Sequence, residues 1–154
     1  MNIIQKHWQQ EKIIGINAIV FKNGHTTPID IESISIKNAP QTFNKKYQIT
    51  ISKKITLENL TTDIWSEFQL YGQMILPDNS KILFGEGEMG NEGCIIKVDA
   101  YENFEWSLFS TESNPFIKAH KDNKLLHIFS THGFSLVFNQ AFNPLEIYID
   151  NHFV

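Results

Sequence analysis

The residues best suited to chemistry lie in one strongly acidic segment in the middle of the chain. Between Glu58 and Glu112 the sequence places eleven carboxylates and only two lysines, and the 154-residue chain contains no arginine. The first 57 residues have the opposite bias, with eight lysines and three acidic side chains. Clustered carboxylates attract cationic surfaces and repel phosphate, and a chain without arginine lacks the planar fork that binds phosphates and guanine. We therefore expect a basic protein partner and no nucleic acid.

Glycines and glutamates alternate within this segment, between positions 85 and 93. They are Gly85, Glu86, Gly87, Glu88, Gly90, Glu92 and Gly93. The G-x-G-x-x-G spacing matches a dinucleotide-binding fingerprint, but residues 94–98 predict a strand where that fingerprint needs a helix, and the glutamates would repel a pyrophosphate. Calcium would suit the oxygen ligands, although the spacing is not that of an EF-hand loop. Two further interpretations are a hairpin connection whose glycines take positive φ and whose carboxylates are solvated, and an acidic loop that seats against a basic partner.

Histidine and cysteine offer an enzymatic alternative. His120, His127 and His132 lie within thirteen residues of one another, but on separate predicted strands or turns and without a metal-binding motif. Cys94 begins a predicted strand, where a small buried residue is expected more often than a nucleophile. We therefore predict no catalytic residue, metal site or cofactor. A small metal-dependent or small-molecule-binding β-sandwich or β-barrel enzyme remains the alternative function.

Aromatic side chains in the acidic segment are of two kinds. Trp106 alternates with Phe104 and Leu108, as expected for the buried face of one strand. Tyr101 and Glu102 lie beside a predicted turn, where a ring supplies contact area and a carboxylate supplies steering in an interface. The predicted partner-binding residues are Glu86, Glu88, Glu92, Tyr101 and Glu102, and the glycines at 85, 87, 90 and 93 shape the loop.

Most of the chain has the two-residue period of β-strands, and no stretch sustains a helical period. Asn23-Gly24, between two apolar runs, predicts a hairpin with a type I′ turn. Residues 63–76 fit a strand or a helix, and a strand is favoured because a Pro-Asp-Asn-Ser turn leads from them into another apolar run. About ten short strands predict a single β-rich domain over residues 1–154. The expected class is mainly β, an antiparallel β-sandwich or curled meander sheet with at most one or two short helices.

The cysteine count and the lack of long apolar stretches indicate the cellular compartment. A single cysteine excludes an intrachain disulfide, and the N-terminal residues lack the apolar run of a signal peptide. No stretch approaches the length of apolar sequence that a membrane span needs. We therefore expect a cytoplasmic protein without a membrane partner.

Taken together, these features resemble small bacterial immunity proteins of polymorphic-toxin and contact-dependent growth inhibition systems. The resemblance lies in the acidic composition and in residues 84–144, where the spaced glycines occur with Trp106, Asn114-Pro115-Phe116 and Pro144-Leu145. It implies a tight one-to-one complex with a cognate toxin domain, often a nuclease with a cationic groove that the acidic stretch would fill or cover. On this resemblance the expected function is that of a non-enzymatic antitoxin.

Overall fold

The computed structural model describes residues 2–38, 42–57 and 63–152, with only the backbone described at 36–38 and 42–44. Glu58, at the start of the acidic segment, lies outside these ranges. Within them the chain forms fourteen strands, one α-helix and one 3₁₀ turn. No helix in the described ranges is long and apolar enough to cross a membrane.

The elements follow one another along the chain with short connections. In order they are α1 (Ile3–Trp8), β1 (Lys12–Ile14), β2 (Ala18–Phe21), β3 (His25–Asn38), β4 (Thr42–Ile51), β5 (Ile55–Thr56), β6 (Trp65–Glu67), β7 (Gln69–Ile75), β8 (Lys81–Glu86), β9 (Gly93–Val98), β10 (Phe104–Ser110), β11 (Phe116–Asp122), β12 (Leu125–Ser130), β13 (Phe134–Phe138), η1 (Pro144–Glu146) and β14 (Tyr148–Asn151).

The larger sheet is antiparallel and runs in the order β4-β3-β2-β10-β9-β8-β7, with β5 added beside β3. Its central strands are buried on both faces. Their apolar runs, such as 82–84 and 94–96, are therefore continuous, because a strand covered on both sides has no solvent face that requires polar residues.

A four-stranded meander, β11-β12-β13-β14, covers one face of this sheet. β11 lies beside β7, and β14 lies beside β4, so the meander meets both edges of the larger sheet, which curls as a half-barrel. The core between them is rich in aromatic residues, and the Trp106 ring stacks 5.8 Å from the ring of Phe138. The prediction that Trp106 is a core residue is confirmed.

The opposite, convex face of the larger sheet is covered by α1 and by the two-stranded β1-β6 sheet. Ile4 and Ile13 from this layer pack with Ile96 and Phe109 of the sheet. The helix begins at an Asn2 cap, whose side-chain oxygen accepts a 2.8 Å hydrogen bond from the Gln5 amide. The chain therefore has three layers, with the larger sheet in the middle.

The predicted mainly β antiparallel class is confirmed, with a single short α-helix in the described ranges. Residues 63–76 form strands β6 and β7, which are interrupted at Phe68. The predicted hairpin at Asn23-Gly24 is present, but the prediction of a type I′ turn is wrong. Lys22, Asn23 and Gly24 form a three-residue connection in which only Gly24 has a positive φ, of 89°. That loop length suits a glycine in the left-handed region at its last position.

One side chain joins the two sheets where β14 meets β4. The Asn151 Oδ1 accepts a 2.7 Å hydrogen bond from the Tyr47 amide, and its Nδ2 donates a 3.0 Å bond to the Tyr47 carbonyl. The amide group of Asn151 thus pairs with one residue of β4 as a neighbouring strand would. Tyr47 itself is buried and stacks on Phe134 of the meander.

We predict that Asn151→Ala lowers the free energy of unfolding by about 1–3 kcal/mol, because both Tyr47 backbone groups lose their partner. Asn151→Asp keeps the acceptor and loses the donor, so its loss is expected to be smaller. The exposed Ser52 follows β4, and Ser52→Ala serves as the control. Urea denaturation followed by tryptophan fluorescence measures the three variants. Equal stability of Asn151→Ala and the control would contradict a joining role.

Candidate partner-binding surface

The hairpin between β8 and β9 carries three of the five predicted partner-binding residues. Glu86 ends β8, and Glu88 and Glu92 lie in the connection that follows. Each carboxylate accepts a hydrogen bond from a neutral donor. Glu86 accepts from the Tyr71 hydroxyl at 2.6 Å, Glu88 from the Glu67 amide at 3.0 Å, and Glu92 from the Met89 amide at 3.0 Å. The structure therefore fixes the three charges in place.

Glu67 joins these residues and was not identified from the sequence. It ends β6, and it lines a shallow groove together with Phe68, Glu86 and Glu88. We call Glu67, Glu86, Glu88 and Glu92 the hairpin cluster. In the described part of the chain, no lysine lies within 4.0 Å of any of these four carboxylates. The cluster thus presents four negative charges without ion-pair partners there.

Three of the four hairpin glycines make close contacts that a side chain would block, and none of the four needs a positive φ. None of the four has a positive φ, so the interpretation that they accommodate positive φ is wrong. A Cβ at Gly85 would lie 1.9 Å from the carbonyl oxygen of Gln69, and one at Gly93 would lie 2.3 Å from that of Asn114. A Cβ at Gly87 would meet the Glu92 carboxylate at 2.6 Å, whereas Gly90 has open space around it.

The other two predicted residues, Tyr101 and Glu102, lie at the opposite end of β8. The Glu102 carboxylate is 2.8 Å from the Lys81 ammonium group. The hydrogen bond and positive charge of Lys81 lower the pKa of Glu102. Tyr101 is 87% exposed. Because β8 is six residues long, the two groups are separated by about 17 Å of strand, and they form no single cluster.

An apolar cleft of about 320 Å³ lies between these two groups, on the convex side of β7, β8 and β9. Its apolar lining consists of Trp8, Phe68, Leu70, Leu83 and Val98. Glu11, Gln73, Lys81 and Glu102 line its polar margin.

Two contacts fix the walls of the apolar cleft. Trp8 stacks on Phe68 with ring centroids 5.6 Å apart, and its indole N–H donates a 3.0 Å hydrogen bond to the Glu102 carbonyl. Phe68 also lines the groove of the hairpin cluster. Phe68 therefore connects the apolar cleft to the groove of the hairpin cluster.

The histidines of the last third do not converge. His120 and His127 pair across β11 and β12 with ring centroids 6.5 Å apart, whereas His132 stacks on Tyr47. Burial lowers the pKa of His132, and the nearby charge of Lys45 adds to the effect. Within the described residues, no three His, Cys, Asp or Glu side chains are grouped closely enough to hold a metal ion.

Ser135, His152 and Asp150 bring together the residue types of a hydrolase triad but not its geometry. The Ser135 hydroxyl lies 3.0 Å from His152 Nε2, and the Asp150 carboxylate lies 4.0 Å from that same nitrogen. A triad needs the carboxylate on the other ring nitrogen. Ser135 is also fully buried. The three side chains therefore lack the arrangement of a Ser-His-Asp triad.

Cys94 is fully buried among the apolar residues beneath α1. This burial raises the pKa of its thiol to about 12, so the reactive thiolate is not formed near neutral pH. The side chain therefore acts as a small core residue, as predicted.

No protein-family model, curated protein or solved structure matches this chain. The resemblance to immunity proteins therefore stays a prediction, and the function is inferred from the contacts and charges of the surface itself.

We predict that Gly85→Ala lowers the free energy of unfolding by about 3 kcal/mol, because the new methyl group would overlap the Gln69 carbonyl that pairs β7 with β8. Gly90→Ala is the matched control. It has free space and an ordinary φ, so stability should change by less than about 0.5 kcal/mol or rise slightly. Chemical denaturation of both variants tests the contrast. Similar stabilities would show that the hairpin does not need the close approach at Gly85.

Proposed function

We propose that this chain is a non-enzymatic binding protein that neutralises a basic protein partner in the cytoplasm, as an immunity protein neutralises its cognate toxin domain. The observation that carries the proposal is the apolar cleft with carboxylates around it. The hairpin cluster adjoins the cleft at Phe68, and Glu11 and Glu102 line its margin.

The charge of the hairpin cluster supports a cationic partner. Four carboxylates within one groove and its adjoining loop create a local negative field, and the chain as a whole has a formal charge of −4. Such a field accelerates encounter with a positively charged surface and disfavours anionic ligands. Glu67, Glu88 and their neighbours thus supply steering before contact is made.

The apolar cleft supplies contact area after encounter. A lysine or arginine side chain of the partner could lay its aliphatic stem against Trp8, Phe68 and Leu70 and direct its charge toward Glu11, since Glu102 already pairs with Lys81. Aromatic walls also attract cations over their faces. Interfaces obtain most of their affinity from a few such buried anchors. The exposed ring of Tyr101 and the exposed Met89 are placed to widen the contact.

The rigidity of the surface also favours binding. The hairpin carboxylates accept hydrogen bonds from Tyr71 and from backbone amides, and the glycine contacts hold the hairpin against β7 and β10. Side chains that are ordered before binding lose little conformational entropy in the complex. A preformed acidic surface therefore suits a tight inhibitor.

We predict that Glu86→Lys, Glu88→Lys and Glu92→Lys together slow association with the cognate partner by about 10- to 1,000-fold at low salt. The partner to use is the product of the gene immediately upstream of this chain's own gene, which the proposal expects to contain a toxin domain. The effect should shrink as salt screens the charges. Stopped-flow fluorescence at several salt concentrations measures it, and circular dichroism establishes that the variant is folded.

A triple variant with the same change in charge is the control. Asp30, Glu32 and Asp122 are exposed carboxylates outside the proposed surface, and reversing them should change the association rate much less. If both triple variants slow association equally, net charge and not this surface determines binding. If the wild-type chain forms no complex with the neighbouring gene product, the proposed function is wrong.

A further inference from the structure

A second cleft, of about 400 Å³, lies at the end of the half-barrel where three connections meet. They are the β7–β8 turn, the β11–β12 turn and the loop between β13 and η1. Lys97, Lys121 and Lys124 line it, and Phe142 forms part of its wall. We call this site the lysine cleft. It shares no lining residue with the apolar cleft or with the groove of the hairpin cluster.

The lysine cleft is positively charged although the chain as a whole is acidic. Its lining contains three lysines and one carboxylate, that of Asp78. Asp78 accepts a 3.0 Å hydrogen bond from the Ser80 amide and another bond from the Ser80 hydroxyl, so it is used within its own turn. The same hydrogen bonds lower the pKa of Asp78.

The three lysines differ in how far their charges are already compensated. Lys97 is paired with Glu105, which does not line the cleft, and its side chain is only 13% exposed. Within the described ranges, no carboxylate lies within 4.0 Å of Lys121 or Lys124. The exposed Lys121 and Lys124 therefore have no ion-pair partner there, whereas Lys97 is largely buried and already paired.

The apolar part of the lining includes a strained residue. Phe142 has a φ of 52°, a conformation that a bulky side chain adopts only when the surroundings impose it. The loop holds it there through a 3.0 Å hydrogen bond from the Phe142 amide to the Asn139 carbonyl and a 3.1 Å bond from the Ala141 amide to the Asn139 side chain. Strain of this kind is found more often at ligand-binding positions than elsewhere.

We propose that the lysine cleft binds a small organic anion, a phosphate or carboxylate attached to a flat apolar group. Lysine binds such anionic groups as a point charge and needs no planar fork, which fits a chain without arginine. The flat group would lie against Phe142, with Leu76 and Pro77 completing the apolar wall. The volume falls within the range of small-molecule sites. This anion-binding site is separate from the proposed partner-binding surface.

Phenyl phosphate is the probe, with inorganic phosphate as the comparison that lacks the ring. In a ¹H–¹⁵N NMR titration of the full chain, phenyl phosphate should shift the amides of residues 76–80, 97, 121–124 and 140–142. Its affinity should exceed that of inorganic phosphate by about tenfold. Lys121→Glu with Lys124→Glu should weaken binding by at least about tenfold. The matched control is Lys53→Glu with Lys54→Glu, two exposed lysines elsewhere, which should bind as the wild type does.

Phe142→Gly tests the apolar wall while keeping a residue that tolerates positive φ. It should bind phenyl phosphate and inorganic phosphate equally. The proposal is overturned if phenyl phosphate causes no localised shifts up to about 10 mM. It is also overturned if the control pair weakens binding as much as the Lys121 and Lys124 pair. Equal binding of both probes by the wild type would mean an adventitious ion only.

Discussion

The structure depends on a sheet that is apolar on both faces. Ile82 and Ile95 face the meander, whereas Leu83 and Ile96 face α1 and β1. Because neither face can be left in water without a large loss of hydrophobic free energy, the sheet requires a cover on each side. The four-stranded meander supplies one cover, and the N-terminal layer supplies the other. The three-layer arrangement follows from this requirement.

The position of the proposed binding surface follows from where the outer cover ends. The N-terminal layer is small, and α1 has only six residues. Leu70 of β7 is 40% exposed, and Leu83 of β8 lies beneath the apolar cleft, at the margin of this layer. The cleft is therefore the part of the convex face that the cover does not fill. The carboxylates around it place charge beside exposed apolar area, as in the rim and core of a protein interface.

Local patterns in the sequence predicted the elements, and contacts between distant residues determined the site. The meander, the core position of Trp106 and the strands at 63–76 follow from alternation and turn residues. The hydrogen bond between the Glu67 amide and the Glu88 carboxylate does not follow from such patterns, because these residues are 21 positions apart and meet through packing of β6 against the hairpin. The pairing of Glu102 with Lys81 depends equally on tertiary structure. The close backbone approach that Gly85 and Gly93 allow also depends on tertiary structure, and the spacing of the glycines in the sequence does not show it.

The central claim is that a basic protein binds across the hairpin cluster and the apolar cleft. Amide hydrogen exchange, compared between the free chain and its complex with the product of the neighbouring upstream gene, tests this claim most directly. The account predicts slower exchange in the complex at residues 87–92, in α1 and along β7, with β12 and β13 unchanged. Protection confined to the meander, with the hairpin and α1 unaffected, would contradict it.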